Sequence, residues 1–105
     1  MGLTEMQRRR DDDNGIEFTR RASVALNTLT SKDRAKVLSA IGLLQRSPDD
    51  PYITRIVKEF ADAPALYLMK VTGTLRIIFT YSGSTISILD IVRSDRLKKM
   101  YGGLL

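Results

Sequence analysis

Cysteine and histidine are both absent from this chain, and each absence removes chemistry. Without thiols there are no disulfides and no thiolate nucleophiles; without imidazoles there is no Ser-His-Asp triad, no histidine-based acid-base ribonuclease and no zinc site of the usual kind. Catalysis would have to draw on Lys, Arg, Tyr, Asp, Glu, Ser or Thr, and no metal and no cofactor is expected. The lack of cysteine fits a reducing compartment. The opening MGLTEMQRRRDDDNG has no apolar stretch of the kind a secretory signal requires, and no run approaches the roughly 18 apolar residues of a membrane helix. A cytoplasmic protein without a membrane partner is expected.

What is present suits one small globular domain. The 105 residues are 43% hydrophobic and 28% charged, an ordinary soluble composition. A chain of this length buries only about two-thirds of its unfolded surface, so function belongs on a surface or in a shallow cleft. Seventeen Lys and Arg face twelve Asp and Glu, a net charge of +5. Most of the excess is C-terminal: residues 65 to 105 hold Lys70, Arg76, Arg93, Arg96, Lys98 and Lys99 against Asp90 and Asp95. Such a field attracts polyanions, nucleic acid first among them.

Residues 1–14 read as a solvated, flexible charged arm, because Arg8, Arg9 and Arg10 stand beside Asp11, Asp12 and Asp13 and largely cancel. A single domain is expected over 15–101, with 102–105 as a tail. Ile16-Glu17-Phe18 alternates like a short strand. A first helix is expected from Arg20 to Thr30, with Ala22, Val24, Ala25, Leu26 and Leu29 on its apolar face. Thr30 or Ser31 offers an N-cap oxygen and Asp33 suits the first turn of a second helix, in which Val37, Leu38, Ile41, Leu43 and Leu44 recur. Ser47-Pro48-Asp49-Asp50-Pro51 should stop it near Arg46. Residues 52–64 fit a strand-like connector or a helical turn equally well. Ala65–Val71, Leu75–Tyr81 and Ile86–Val92 are β-rich runs separated by turn-forming Thr72-Gly73-Thr74 and Ser82-Gly83-Ser84-Thr85. RSDRLKKMYGGLL has too few apolar positions to predict a helix.

The first hairpin can be read to its register, because a one-residue slip inverts both faces. A three-residue loop, Thr72–Thr74, sets Val71 opposite Leu75, Met69 opposite Ile77 and Tyr67 opposite Phe79 on one apolar face. Lys70 then opposes Arg76 on the other. A two-residue loop would mix charge into both faces, so burial favours the first. Opposed like charges destabilise a sheet by up to about 1 kcal/mol. The pair is either an anion site able to hold a phosphate or two side chains that extend into water or pair with Asp90. Tyr67 and Tyr81 fall on the apolar face and are read as packing residues rather than base-stacking ones.

IEFTRRA, the helix ending LLQRSP, LYLMKVTGTLRIIF and ISILDIV leading into RSDRLKKMY resemble, in type and spacing, the RelE/ParE superfamily of bacterial toxin-antitoxin toxins over about residues 16–101. The resemblance implies an α+β fold: a short N-terminal strand, an antiparallel helical hairpin and a three- to four-stranded antiparallel sheet. It implies a ribosome-dependent mRNA endoribonuclease that uses the RNA's own 2′-hydroxyl as nucleophile and needs no metal, with the ribosome, mRNA and a cognate antitoxin protein as partners. By the same resemblance Lys70, Arg76 and Tyr101 are the catalytic positions: Lys70 to deprotonate the hydroxyl or hold the phosphate, Arg76 to stabilise the transition state, Tyr101 as the C-terminal tyrosine. An ordinary lysine, near pKa 10.4, is a poor base at neutral pH, so a lysine in the first of those roles needs a cationic neighbour to lower it. The chain departs from the family pattern at Asp95, where an arginine normally precedes the tyrosine. Arg93 and Arg96 are the nearby substitutes, and with Lys98 and Lys99 they are the expected substrate-binding residues. The ParE-like branch inhibits DNA gyrase by protein binding and is the alternative, with a non-toxic nucleic-acid-binding module as a third.

Overall fold

A computed structural model describes residues 15–101, the side chain of Tyr101 excepted. The proposed arm 1–14 and tail 102–105 lie outside the described residues. The elements run β1 (Gly15–Phe18), α1 (Arg20–Thr28), α2 (Ser31–Arg46), α3 (Pro51–Ile56), β2 (Val57–Phe60), β3 (Ala63–Lys70), β4 (Leu75–Ser82), β5 (Thr85–Arg93) and α4 (Ser94–Tyr101). Among them no helix is long and apolar enough to cross a membrane.

The first three helices start where a side-chain oxygen can satisfy the free N–H groups of the first turn. Thr19 Oγ1 accepts from Ala22 N at 3.1 Å and donates to Leu89 O at 2.8 Å, so one hydroxyl caps α1 and ties it to β5. Thr30 Oγ1 accepts from Asp33 N at 3.1 Å and caps α2, which ends at Arg46. Asp50 accepts from Tyr52 N at 2.8 Å ahead of Pro51, whose missing N–H costs nothing at a helix start. Residues 52–64 thus complete the short helix α3, form β2 and begin β3.

The five strands make one sheet in the order β1-β5-β4-β3-β2. β2 to β5 are the antiparallel meander, at the four-strand limit of the expectation. β1 adds a fifth strand at the other edge, parallel to β5. The β4–β5 hairpin turns through Gly83, at φ +64, a left-handed conformation that glycine adopts without a steric penalty.

One face of the sheet packs under the helices. Met69, Leu75, Ile77, Phe79, Ile86, Ile88 and Ile91 meet Ala22 of α1, Val37, Ile41 and Leu44 of α2, and Ile53 of α3. The buried α2 residues recur at four and three positions, a single stripe, which leaves Leu38 45% exposed; Val24, two positions on from Ala22 in α1, is 57% exposed. Both were expected on the apolar faces, and helical geometry places them off the stripe. The other face is not simply wet. Phe60, Leu68, Ile78 and Val92 form a smaller apolar cluster with Leu97, so the segment after β5, which lacked a helical signal, folds as α4 around one buried leucine.

β5 carries a bulge. Between Ile78 and Phe79 the pairing shifts, so that Phe79 opposes Ile88 while Ile78 opposes Asp90, and Leu89 is the extra residue. Simple alternation from Ile86 and Ile88 would have put Asp90 on the helix-side face. The bulge sets it opposite Ile78 instead; the buried carboxylate accepts from Ile91 N at 2.8 Å and meets Arg21 Nη1 of α1 at 3.6 Å.

Candidate functional site

The β3–β4 register sets Lys70 opposite Arg76, Met69 opposite Ile77 and Tyr67 opposite Phe79. Met69, Ile77 and Phe79 are fully buried on the helix side, which fixes Lys70 and Arg76 on the other face. Tyr67 stacks on Phe79 at 5.4 Å, and Tyr81 meets both rings edge-on at 5.6 and 5.7 Å. The tyrosines thus form an aromatic cluster on the helix side. The Tyr81 hydroxyl is pushed above its ordinary pKa by burial, then by the neighbouring Tyr67 and Asp49, all of which disfavour the phenolate.

The connecting loop locks Arg76. Thr72 Oγ1 accepts from both Thr74 N and Leu75 N at 3.1 Å, a local side-chain turn that orients the loop carbonyls. Arg76 Nη1 donates to Thr72 O at 2.7 Å and to Leu75 O at 3.1 Å. Among the described residues its Nε and Nη2 make no hydrogen bond, so the edge of the guanidinium that suits bidentate contact with a phosphate is available. A half-buried arginine held by one nitrogen is a pre-oriented anion ligand.

Lys70 and Arg76 line a cleft of about 240 Å³ together with Arg55, Lys58, Val57 and Leu68. Among the described residues, four cations and no carboxylate line it. Asp90 forms an ion pair with Arg21, at 3.6 Å. Lys70 also borders a second groove of about 550 Å³ toward α2 and α3, lined by Lys36, Ser39, Tyr52 and Thr72 among others. Arg55 and Lys58 escaped the sequence reading because segment 52–64 had no assigned element. The signal was there in principle: once Val57 is placed inward, alternation turns Lys58 outward, and the register sets it opposite Leu68.

The remaining expected site residues lie elsewhere. The bulge sets Arg93 opposite Leu75, on the helix-side face and away from Arg76. Arg93 and Arg96 line a separate cleft of about 570 Å³ with Arg21, Val24, Leu29 and Met100. Lys98 and Lys99 are exposed in the last turn of α4, where cations favour the helix dipole. Asp95 occupies the first turn, where a carboxylate is equally favoured, a structural reason for its presence at the position of the family arginine. Tyr101 ends α4, and its side chain lies outside the described residues.

An N-terminal strand that runs parallel to the last strand of a four-stranded meander, with a helix pair between them, defines the fold of the RelE toxins. The chain has that fold. It superposes on a chain of the toxin-antitoxin complex RelBE2 from Mycobacterium tuberculosis with a TM-score of 0.62 at 24% identity, covering 77% of this chain and 98% of that one. For the RelB-RelE complex from Methanococcus jannaschii the TM-score is 0.66 at 15% identity, covering 81% and 98%. For the isolated E. coli RelE toxin it is 0.60 at 14%, covering 86% and 97%. No protein-family model matches the chain, and no curated protein matches it in sequence.

Proposed function

We propose that this chain is the toxin of a toxin-antitoxin pair and that it arrests translation in the cytoplasm by cutting messenger RNA on the ribosome without a metal. The observation that carries the reading is the juxtaposition of Lys70 with an Arg76 anchored on its own hairpin loop. In the proposed step the ribose 2′-oxygen attacks the adjacent phosphorus and gives up its proton. The bond from phosphorus to the 5′-oxygen breaks, that oxygen takes up a proton, and a 2′,3′-cyclic phosphate remains. Negative charge grows on the non-bridging oxygens during attack. The Nε/Nη2 edge of Arg76 is oriented to receive it, and Lys70 supplies a second positive charge on the same face. Tyr101 is the remaining candidate for proton transfer. The toxin-antitoxin complexes among the structural neighbours support an antitoxin as the resting partner, one that would cover this basic face.

A second reading, a ParE-like inhibitor of DNA gyrase, is favoured by Asp95 standing where the nuclease branch has arginine and by the separation of Arg93 and Arg96 from Lys70. Induction of the chain in growing bacteria distinguishes them. Early arrest of protein synthesis with cleaved messages supports the nuclease. Intact messages with altered supercoiling and DNA damage would transfer the function to gyrase, and undisturbed growth would leave a nucleic-acid-binding module.

A further inference from the structure

Arg55 and Lys58 enlarge the cationic cleft beyond what one phosphate requires. The register makes the layout explicit. Lys70 lies on the central strand of three, with Arg76 directly across on β4 and Lys58 diagonally across on β2, opposite Leu68, two residues before Lys70. Arg55, at the last turn of α3, reaches the same cleft from the β2 side. From β2 to β4 is two strand spacings, roughly 10 Å, wider than a single phosphate.

The charge is unbalanced as well as spread. A phosphodiester carries one negative charge, so one at Lys70 and Arg76 leaves Arg55 and Lys58 unanswered. The nearest carboxylate in sequence, Glu59, is turned away: it stands opposite Tyr67, and its Oε2 accepts from Ala65 N at 2.6 Å. Among the described residues none of the four cations is in an ion pair. Clustered like charges cost stability, and a second anion would relieve that cost. Leu68, opposite Lys58, and Ile56 and Val57 also line the cleft and add apolar surface, which suits a ribose and not a third phosphate.

We propose that Arg55 and Lys58 hold the phosphate next to the scissile one, so that a single RNA strand crosses β4, β3 and β2 at right angles to their length. The inference rests on the RNA-cleaving reading and assigns the strand's path. Arg55 and Lys58 are both exposed, so their replacement leaves the core intact.

The test uses a short single-stranded RNA with 2′-fluoro riboses, which binds but cannot attack its own phosphate. Its affinity is measured across a range of salt for the full chain, for R55Q/K58Q, for R76Q and for R20Q/K32Q, which removes the same charge elsewhere. R55Q/K58Q is expected to bind more weakly, with the slope of log affinity against log salt shallower by about 0.7, the value for one phosphate contact on a single strand. R55K/K58R should restore the slope, and R20Q/K32Q should leave it unchanged. A wild-type slope in R55Q/K58Q, or an equal loss in R20Q/K32Q, overturns the inference while a shallower slope in R76Q keeps the cleavage site standing. If R76Q also keeps the wild-type slope, the RNA-cleaving reading itself fails.

Discussion

Replacing Arg76 with alanine separates the catalytic part of its role from the structural part, because the structure assigns different nitrogens to each. Nη1 holds the loop through Thr72 O and Leu75 O. Hydrogen bonds from a charged donor contribute about 1.5–3 kcal/mol each when well desolvated, but Arg76 is only half-buried and water can reach both carbonyls, so about 1–2 kcal/mol for the two together is the appropriate scale. Loss of the repulsion from Lys70 returns up to about 1 kcal/mol. The net destabilisation is then about 1 kcal/mol, a fall in Tm of about 4–8 °C for a domain of this size. Against a total of about 5–15 kcal/mol, the variant stays folded. The free edge should matter more: removing one pre-oriented donor to a developing oxyanion costs about 10² to 10³-fold in rate. Arg76→Lys keeps the charge without the planar fork and should fall between the two. The assay is message cleavage in a purified translation system, run well below the melting point of each variant measured by circular dichroism. Near wild-type cleavage by folded Arg76→Ala protein would refute the reasoning.

Two further perturbations probe the frame that presents this site. Phe79 is fully buried between Tyr67 and Tyr81, so Phe79→Ala should cost about 3–5 kcal/mol, seen in urea as a lower midpoint at unchanged slope; a cost below 1 kcal/mol would mean that the aromatic cluster does not anchor the hairpin. Tyr81 has a folded-state pKa above its unfolded value near 10.0, so its contribution is fully present below that pH and is lost as pH rises through the higher folded value. Wild type should therefore lose more stability above about pH 10 than Tyr81→Phe does, and superimposable pH-stability curves for the two would contradict the assigned burial.

Much of the frame is legible in the residues alone. Thr30 with Asp33 announces the start of α2, and Ser47-Pro48 its end, since capping and proline chemistry act over a few residues of chain. The hairpin register is equally local in origin: a three-residue loop lets Met69, Ile77 and Phe79 leave water together, and the placement of Lys70 beside Arg76 follows from that burial. Segments whose structure depends on distant partners were illegible. β2 forms because β3 offers it an edge, with Val57 opposite Met69, and α4 forms because Leu97 finds Phe60, Ile78 and Val92.

By itself, then, the order of residues pointed to two cations facing each other across the β3–β4 hairpin, because burial of their neighbours favours that register over a two-residue loop. Only the tertiary structure decided which other cations join them. A bulge at Leu89 shifts the register of β5 and so sets Arg93 on the helix-side face, whereas pairing of β2 with β3 brings Lys58 to the cleft and the last turn of α3 brings Arg55. Charge along a chain says how much field a protein carries; strand pairing and a single extra residue say where it points.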